Sequence, residues 1–227
     1  MVISFCNEKG GCGKSTLALF LSGRLAEDGD DVLLIDADPQ NSTSVFVESR
    51  NKAELKQTFS TISKSGDTLK NEIKAMNKKF DCLVVDTGGR DTIEMRHALF
   101  SSDIVIIPVI PSSFDEKVLK YMLELLKRVS ELNEGIKGIV LPSKITTNPL
   151  LKDKEIKEFK KLVQELKEEE KVENLYIAES VISDRKAYRD SIRQGKTLKE
   201  FFEGKNGDKA YLEFESFFKE LVEIAKN

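Results

Sequence analysis

The sequence predicts a three-layer α/β fold built on a mostly parallel, doubly wound sheet. Three observations predict it. Short apolar runs alternate along the chain with longer segments of helical period, the pattern of repeated strand–helix units. Three of those runs, at residues 2–6, 31–36 and 80–86, lead into a glycine-rich loop or end in an aspartate, and doubly wound sheets bind their ligands at the carboxyl ends of strands. The chain has 227 residues, enough to bury a core without staples, and 1–227 reads as a single domain because no linker is long enough to divide it.

The first unit carries the chemistry. Residues 2–16 read Val-Ile-Ser-Phe-Cys-Asn-Glu-Lys-Gly-Gly-Cys-Gly-Lys-Ser-Thr. Val2, Ile3, Phe5 and Cys6 form a buried strand, and Leu17, Phe20, Leu21 and Leu25 follow at helical spacing. Between them, Gly10, Gly11 and Gly13 let the backbone curl so that successive N–H groups face an anion at a helix N-terminus. Lys14 then reaches the β- and γ-phosphates of a nucleotide, and the Ser15 hydroxyl ligates Mg²⁺. Cys12 and Thr16 complete the nucleotide-binding stretch, Cys12 as a small tolerated side chain. The loop departs from G-x-x-x-x-G-K-[ST], because Glu8 stands five residues before Gly13. In its place is a second lysine, Lys9, which is surplus to the loop's own nucleotide.

The stretch Lys9-Gly-Gly-Cys-Gly-Lys-Ser-Thr16 resembles the deviant Walker A loop of the ParA/MinD group of P-loop ATPases. The resemblance implies that ATP drives formation of a nucleotide-sandwich homodimer, with Lys9 reaching the partner's phosphates and Lys9 and Lys14 both catalytic. After the first helix, closed by Gly29, the strand at 31–36 ends in Asp36-Ala-Asp38-Pro39-Gln40, similar to the group's D-x-D-P-Q signature. By that likeness Asp38 positions the attacking water and Asp36 stands near the metal. The strand at 80–86 has the form of a Walker B element, with Asp86 placed to bind a Mg²⁺ water. Thr87-Gly88-Gly89 follows it and looks closest to the small plasmid-type, ParF-like members.

The remaining elements follow in order. Residues 41–66 are polar, and one short helix is expected over 52–59. Leu69, Ile73 and Met76 are spaced for a surface helix over 68–79. A helix over 91–101 holds the only histidine, His97, to which no role falls because phosphoryl transfer needs no imidazole. A fourth strand spans 103–111, and its exit, with Phe114 and Asp115, is similar to the family's turn beside the nucleotide. Ser113 or Asp115 caps a helix ending near Leu132, with Val118, Leu119, Met122, Leu125, Leu126 and Val129 inward. A fifth strand at 136–142 leads to Ser143 and Lys144. The resemblance makes this the loop that lines the adenine, with Lys144 the basic residue there. A charged helix over 152–171 turns Ile156, Phe159, Val163 and Leu166 inward. The alternating strand at 172–178 belongs nearer the sheet edge, and an aromatic-rich helix over 208–226 ends the chain.

Composition bounds the function. The formal charge is −3, so any nucleic-acid contact has to come from a local patch. From Asp184 to Lys199, Arg185, Lys186, Arg189, Arg193, Lys196 and Lys199 are opposed only by Asp184 and Asp190. Arg185, Lys186, Arg189 and Arg193 therefore make the DNA-binding candidate, with a nucleotide-facing dimer surface as the other reading of the same residues. Three cysteines, Cys6, Cys12 and Cys82, two of them in core strands, suggest a reduced compartment. No run approaches the roughly 20 apolar residues of a membrane span. The last helix balances Glu213, Glu215, Glu220 and Glu223 against Lys209, Lys219 and Lys226, which is not the basic face of a membrane-surface helix. The resemblance as a whole implies a cytoplasmic, nucleoid-associated partition ATPase with ATP and Mg²⁺ as cofactors. It would bind DNA without sequence preference and answer to a ParB- or ParG-like centromere-binding protein. A sibling that positions a protein or membrane-associated cargo is the alternative.

Overall fold

The structure is a computed structural model and describes residues 1–113, 115–203 and 208–226. Seven strands pair: β1 (Val2–Phe5), β2 (Val32–Asp36), β3 (Ser60–Ser63), β4 (Cys82–Asp86), β5 (Ile104–Val109), β6 (Lys137–Pro142) and β7 (Leu175–Ile177). Their order is β3-β2-β4-β1-β5-β6-β7 and every pairing is parallel, where the sequence predicts a mostly parallel sheet. β1, β2, β4 and β5 are buried at every position, because helices cover both faces and leave no solvated side.

Alternate residues sort the helices into two layers. Ile3, Phe5, Leu34, Val84 and Ile106 point to a face covered by α1 (Lys14–Glu27), α2 (Ser44–Lys52), α7 (Lys186–Arg193), α8 (Leu198–Phe202) and α9 (Lys209–Lys226). Val2, Leu33, Ile35, Leu83, Val85 and Val105 point to the opposite face, under α3 (Leu69–Met76), α4 (Ile93–Phe100), α5 (Glu116–Ser130) and α6 (Pro149–Glu170). Caps set several helix starts. Asp115 accepts from the Lys117 N–H at the head of α5, and Asn148 accepts from the Leu150 N–H ahead of a first-turn proline in α6. Phe114, placed by its sequence in the turn beside the nucleotide, lies outside the described residues.

The polar stretch after β2 differs from expectation. Its helix is α2, at Ser44–Lys52, and residues 53–59 are not helical. Phe46 and Arg50 are the buried residues of α2, and Phe46 stacks on Phe59 with ring centroids 5.9 Å apart. A helix that buries two residues has too weak a period to show in sequence. β3 escapes the apolar pattern for a related reason: it is an edge strand reading Ser-Thr-Ile-Ser, exposed at both ends and half-buried between, so it carries no apolar run.

The strand order places a topological switch at β1, where the chain leaves toward β2 on one side and β5 continues toward β6 on the other. At that edge the register aligns Phe5 with Asp86 and Asp36 with Asp86. The phosphate loop and both aspartates thus leave the sheet at one level.

α2 is held against the turn after α7 at closest approach. Gly195 has φ +64°, and a Cβ there would run into the Arg50 nitrogen and Cα and lie 2.7 Å from the Ser49 carbonyl carbon. Gly195→Ala therefore combines left-handed strain with a backbone clash, and is expected to cost about 2–4 kcal/mol of stability in urea denaturation. A change under half of that would mean the two segments part easily.

Candidate functional site

The loop between β1 and α1 folds around its own lysine. Gly13 caps α1 at φ 100° with no side-chain cap, so the first N–H groups of the helix are open to an external anion. Lys14 is buried, and its Nζ donates to the Lys9 carbonyl at 3.0 Å and lies 3.8 Å from Cys12 Sγ. The Ser143 hydroxyl donates to the Cys12 carbonyl at 2.8 Å, fastening the loop to the end of β6. Cys12 is itself buried, and burial raises its thiol pKa, as it raises that of Cys6 to about 12. These are packing residues rather than redox groups. The Lys9 ammonium donates to the Ser113 carbonyl in the short 3₁₀ turn Pro111–Ser113.

The three aspartates occupy different situations. Asp36 accepts the Asp38 N–H at 3.0 Å, the Thr43 N–H at 2.9 Å and the Thr43 hydroxyl at 2.6 Å. Asp36, expected near the metal, thus has its carboxylate held by three protein donors and braces the loop between β2 and α2. Asp38 is half-buried, accepts the Gln40 N–H at 2.9 Å, and stands against Gly88, where a Cβ would come within 3.4 Å of Oδ1. Asp86 is fully buried, and neither of its oxygens has a hydrogen-bond partner. Burial pushes its carboxyl up to about 7; the nearby Ser15 hydroxyl and Lys14 ammonium oppose the rise, while Asp36 and Asp38 add to it.

A buried carboxylate without a donor, beside a hydroxyl, suits a hard cation. Among the described residues no group of three His, Cys, Asp or Glu could hold a metal alone. Mg²⁺ fits such a site, because it keeps waters and takes phosphate oxygens together with one or two protein ligands. Ser15 and Asp86 are the residues that fit it.

Above these groups opens a cleft of about 460 Å³, lined by the phosphate loop, Asp38, Ser42, Val45, Thr87, Gly89, Lys144, Arg189, Ile192 and Arg193. Lys144, in the left-handed region at φ 51°, reaches the cleft from the end of β6. The four basic residues expected on one DNA-facing surface are divided. Arg189 and Arg193 look into the cleft. Arg185 is held by Glu213 through two hydrogen bonds of 2.9 and 2.7 Å, and the Lys186 side chain is 81% exposed. Tyr188, on the same helix, is core and donates to the Ala210 carbonyl. Ile192 and Val45 had no motif to announce them; only the packing of α2 and α7 brings them to the cleft.

Comparison with known proteins agrees with this geometry. A model described as the CobQ/CobB/MinD/ParA nucleotide binding domain matches residues 3–198. The chain is 30% identical to the uncharacterized protein MJECL24 of Methanocaldococcus jannaschii, over 62% of this chain and 71% of that protein. It is 28% identical to Protein ParA of Rhizobium radiobacter, over 57% of this chain and 58% of that one. It is 29% identical to maintenance of carboxysome distribution protein A of Halothiobacillus neapolitanus, over 61% and 64%. The chain thus spans less than two thirds of the latter two. Among solved structures, apo McdA from Cyanothece superposes with a TM-score of 0.71 at 21% identity, covering 97% of this chain and 98% of that one, a likeness of fold.

Two outcomes test the site. A Cβ on Gly89 would lie 2.6 Å from Gly10 Cα, so Gly89→Ala has to displace the phosphate loop; nucleotide affinity should fall at least about tenfold by calorimetry. Unchanged affinity would separate the two loops functionally. For Asp86, the folded pKa of about 7 exceeds the ordinary 3.8, so the fold holds a proton that the unfolded chain has released. Its contribution to ligand-free stability is lost as pH rises through that window. Asp86→Asn should therefore stabilise the ligand-free protein at pH 8 by roughly 1–3 kcal/mol and progressively less toward pH 4. Equal melting shifts at both pH values would contradict an unpaired buried carboxylate.

Proposed function

Because the chain belongs to the CobQ/CobB/MinD/ParA nucleotide-binding family, we propose that it is a ParA-type ATPase whose ATP-dependent dimer positions DNA. The observation that carries the reading is the convergence of Lys14, Ser15, the open N-terminus of α1 and Asp38 on one cleft, with the unpartnered Asp86 buried beneath it. The amides and Lys14 bind and orient the phosphates, which is most of what catalysis of phosphoryl transfer requires of a protein. When bound, Mg²⁺ at Ser15 and Asp86 would neutralise phosphate charge. Asp38, held by the Gln40 N–H, orients the water for attack. Lys9 leaves the Ser113 carbonyl to meet the phosphates of a second copy, and Lys144 lies toward the base.

DNA is the proposed cargo, bound by the dimer without sequence preference and released when a centromere-binding protein of the ParB or ParG kind stimulates hydrolysis. Lys186 and whatever surface adjoins it supply phosphate contacts, doubled by the two-fold axis. A second reading has its own support. Arg185 and Arg189 are paired with Glu213 and Asp184, and one relative carries a name referring to carboxysome distribution, so a protein assembly is the alternative cargo.

Lys14→Ala should abolish ATP–Mg²⁺ binding in calorimetry; binding at parent affinity would dismiss the cradle. In sedimentation with ATP, Asp38→Ala should accumulate as dimer while Lys9→Ala stays monomeric, and the reverse would reject the sandwich. Parent protein with ATP should retard arbitrary duplex DNA at low salt and lose it steeply as salt rises. No retardation even at low salt would move the reading to protein cargo.

A further inference from the structure

Two helices besides α1 contribute to the cleft: α2, carrying Val45, and α7, carrying Arg189 and Arg193. What joins them is Arg50, whose side chain is 1% exposed. All of its N–H groups are directed to acceptors. Nη1 donates to the Gly195 carbonyl at 2.8 Å and to Glu200 Oε2 at 2.7 Å, and Nη2 donates to Glu200 Oε1 at 2.7 Å and to the Lys56 carbonyl. Nε donates to the same Lys56 carbonyl at 2.8 Å. Glu200 in turn closes a capping box with Thr197 at the start of α8. One guanidinium therefore ties α2 to the end of α7 and the start of α8, with Gly195 directly against the α2 backbone.

The head of α2 is fixed separately, by Thr43 on Asp36. α7 is thus tied at its end to α2 through Arg50, in addition to the Tyr188 anchor on Ala210 and Phe20, while α2 is held to the sheet at Asp36. We infer that Arg50 is a positioning residue, acting through α7 to hold Arg189 and Arg193 over the nucleotide cleft. The planar fork is what the place demands, since one side chain has to serve a carboxylate and two carbonyls at once. Arg193 supplies the more responsive partner, because Arg189 is paired with Asp184 at 2.6 Å whereas the Arg193 side chain makes no hydrogen bond or ion pair among the described residues. The inference rests on the ATP reading above.

The test is a double-mutant cycle read by calorimetric ATP binding, with circular dichroism and melting as fold controls. Arg50→Met should weaken ATP by about tenfold in the parent background, and by less than about twofold where Arg189→Ala and Arg193→Ala are already present. At saturating ATP, kcat should stay within about twofold while KM rises, because Asp38 is anchored independently. An equal loss in both backgrounds, or none in the parent, overturns the inference and leaves Arg50 a packing residue. If Arg50→Met does not fold, Glu200→Gln keeps an acceptor for the cap, breaks the ion pair and should show the same background dependence in weaker form. Failure of the parent to bind ATP removes the ATP reading itself, an outcome that no variant is needed to recognise.

Discussion

A single buried carboxyl without a partner organises the centre of this molecule. Asp86 closes a strand that is buried along its whole length, and its carboxylate has no donor. Burying such a group without a partner is costly, and the groups around it reduce that cost only in part. Lys14 lies near enough to favour the charged form, yet its own hydrogen bond goes to the Lys9 carbonyl. The protein alone thus holds an incomplete electrostatic set, an ammonium and open amides on one side and a carboxyl group that resists ionisation on the other. A polyanion accompanied by a divalent cation would complete both halves together.

The neighbouring loops come close for a backbone reason. The turn after β4 meets the phosphate loop at Gly89, the turn after β6 meets it at Ser143, and the β2–α2 loop is pinned by Asp36. Two separate strand ends therefore fix the phosphate loop, and the β2–α2 loop beside it is braced on its own strand. Fixed dipoles arranged before a ligand arrives need little reorganisation when charge develops.

Much of this is legible in the amino-acid sequence. The buried parallel strands announce themselves as uninterrupted apolar runs, and Gly13, Lys14 and Ser15 sit where their spacing places them because a strand, a tight turn and a helix leave little freedom there. Legibility fails where the deciding contact is distant. Arg50 reads as one charge among many in a polar segment, and only the arrival of Gly195 and Glu200, some 145 and 150 positions away, makes it buried. β3 is hidden because edge strands need no apolar run. The basic stretch after residue 184 reads as one surface by composition, and the fold divides it, because Glu213 of α9 claims Arg185 and the seating of α7 turns Arg189 and Arg193 toward the cleft.

The edges of the sheet bear on how copies of the chain meet. β3 presents Ser60 and Ser63 to solvent, and β7 at the other border is three residues long. Short, polar borders offer a poor template for strand addition. An all-parallel sheet with open edges would otherwise invite end-on polymerisation, sheet to sheet, whenever the protein is crowded. Blunted borders thus keep the hydrogen-bonding capacity of the sheet inside the molecule, where precipitation through strand pairing finds no starting edge.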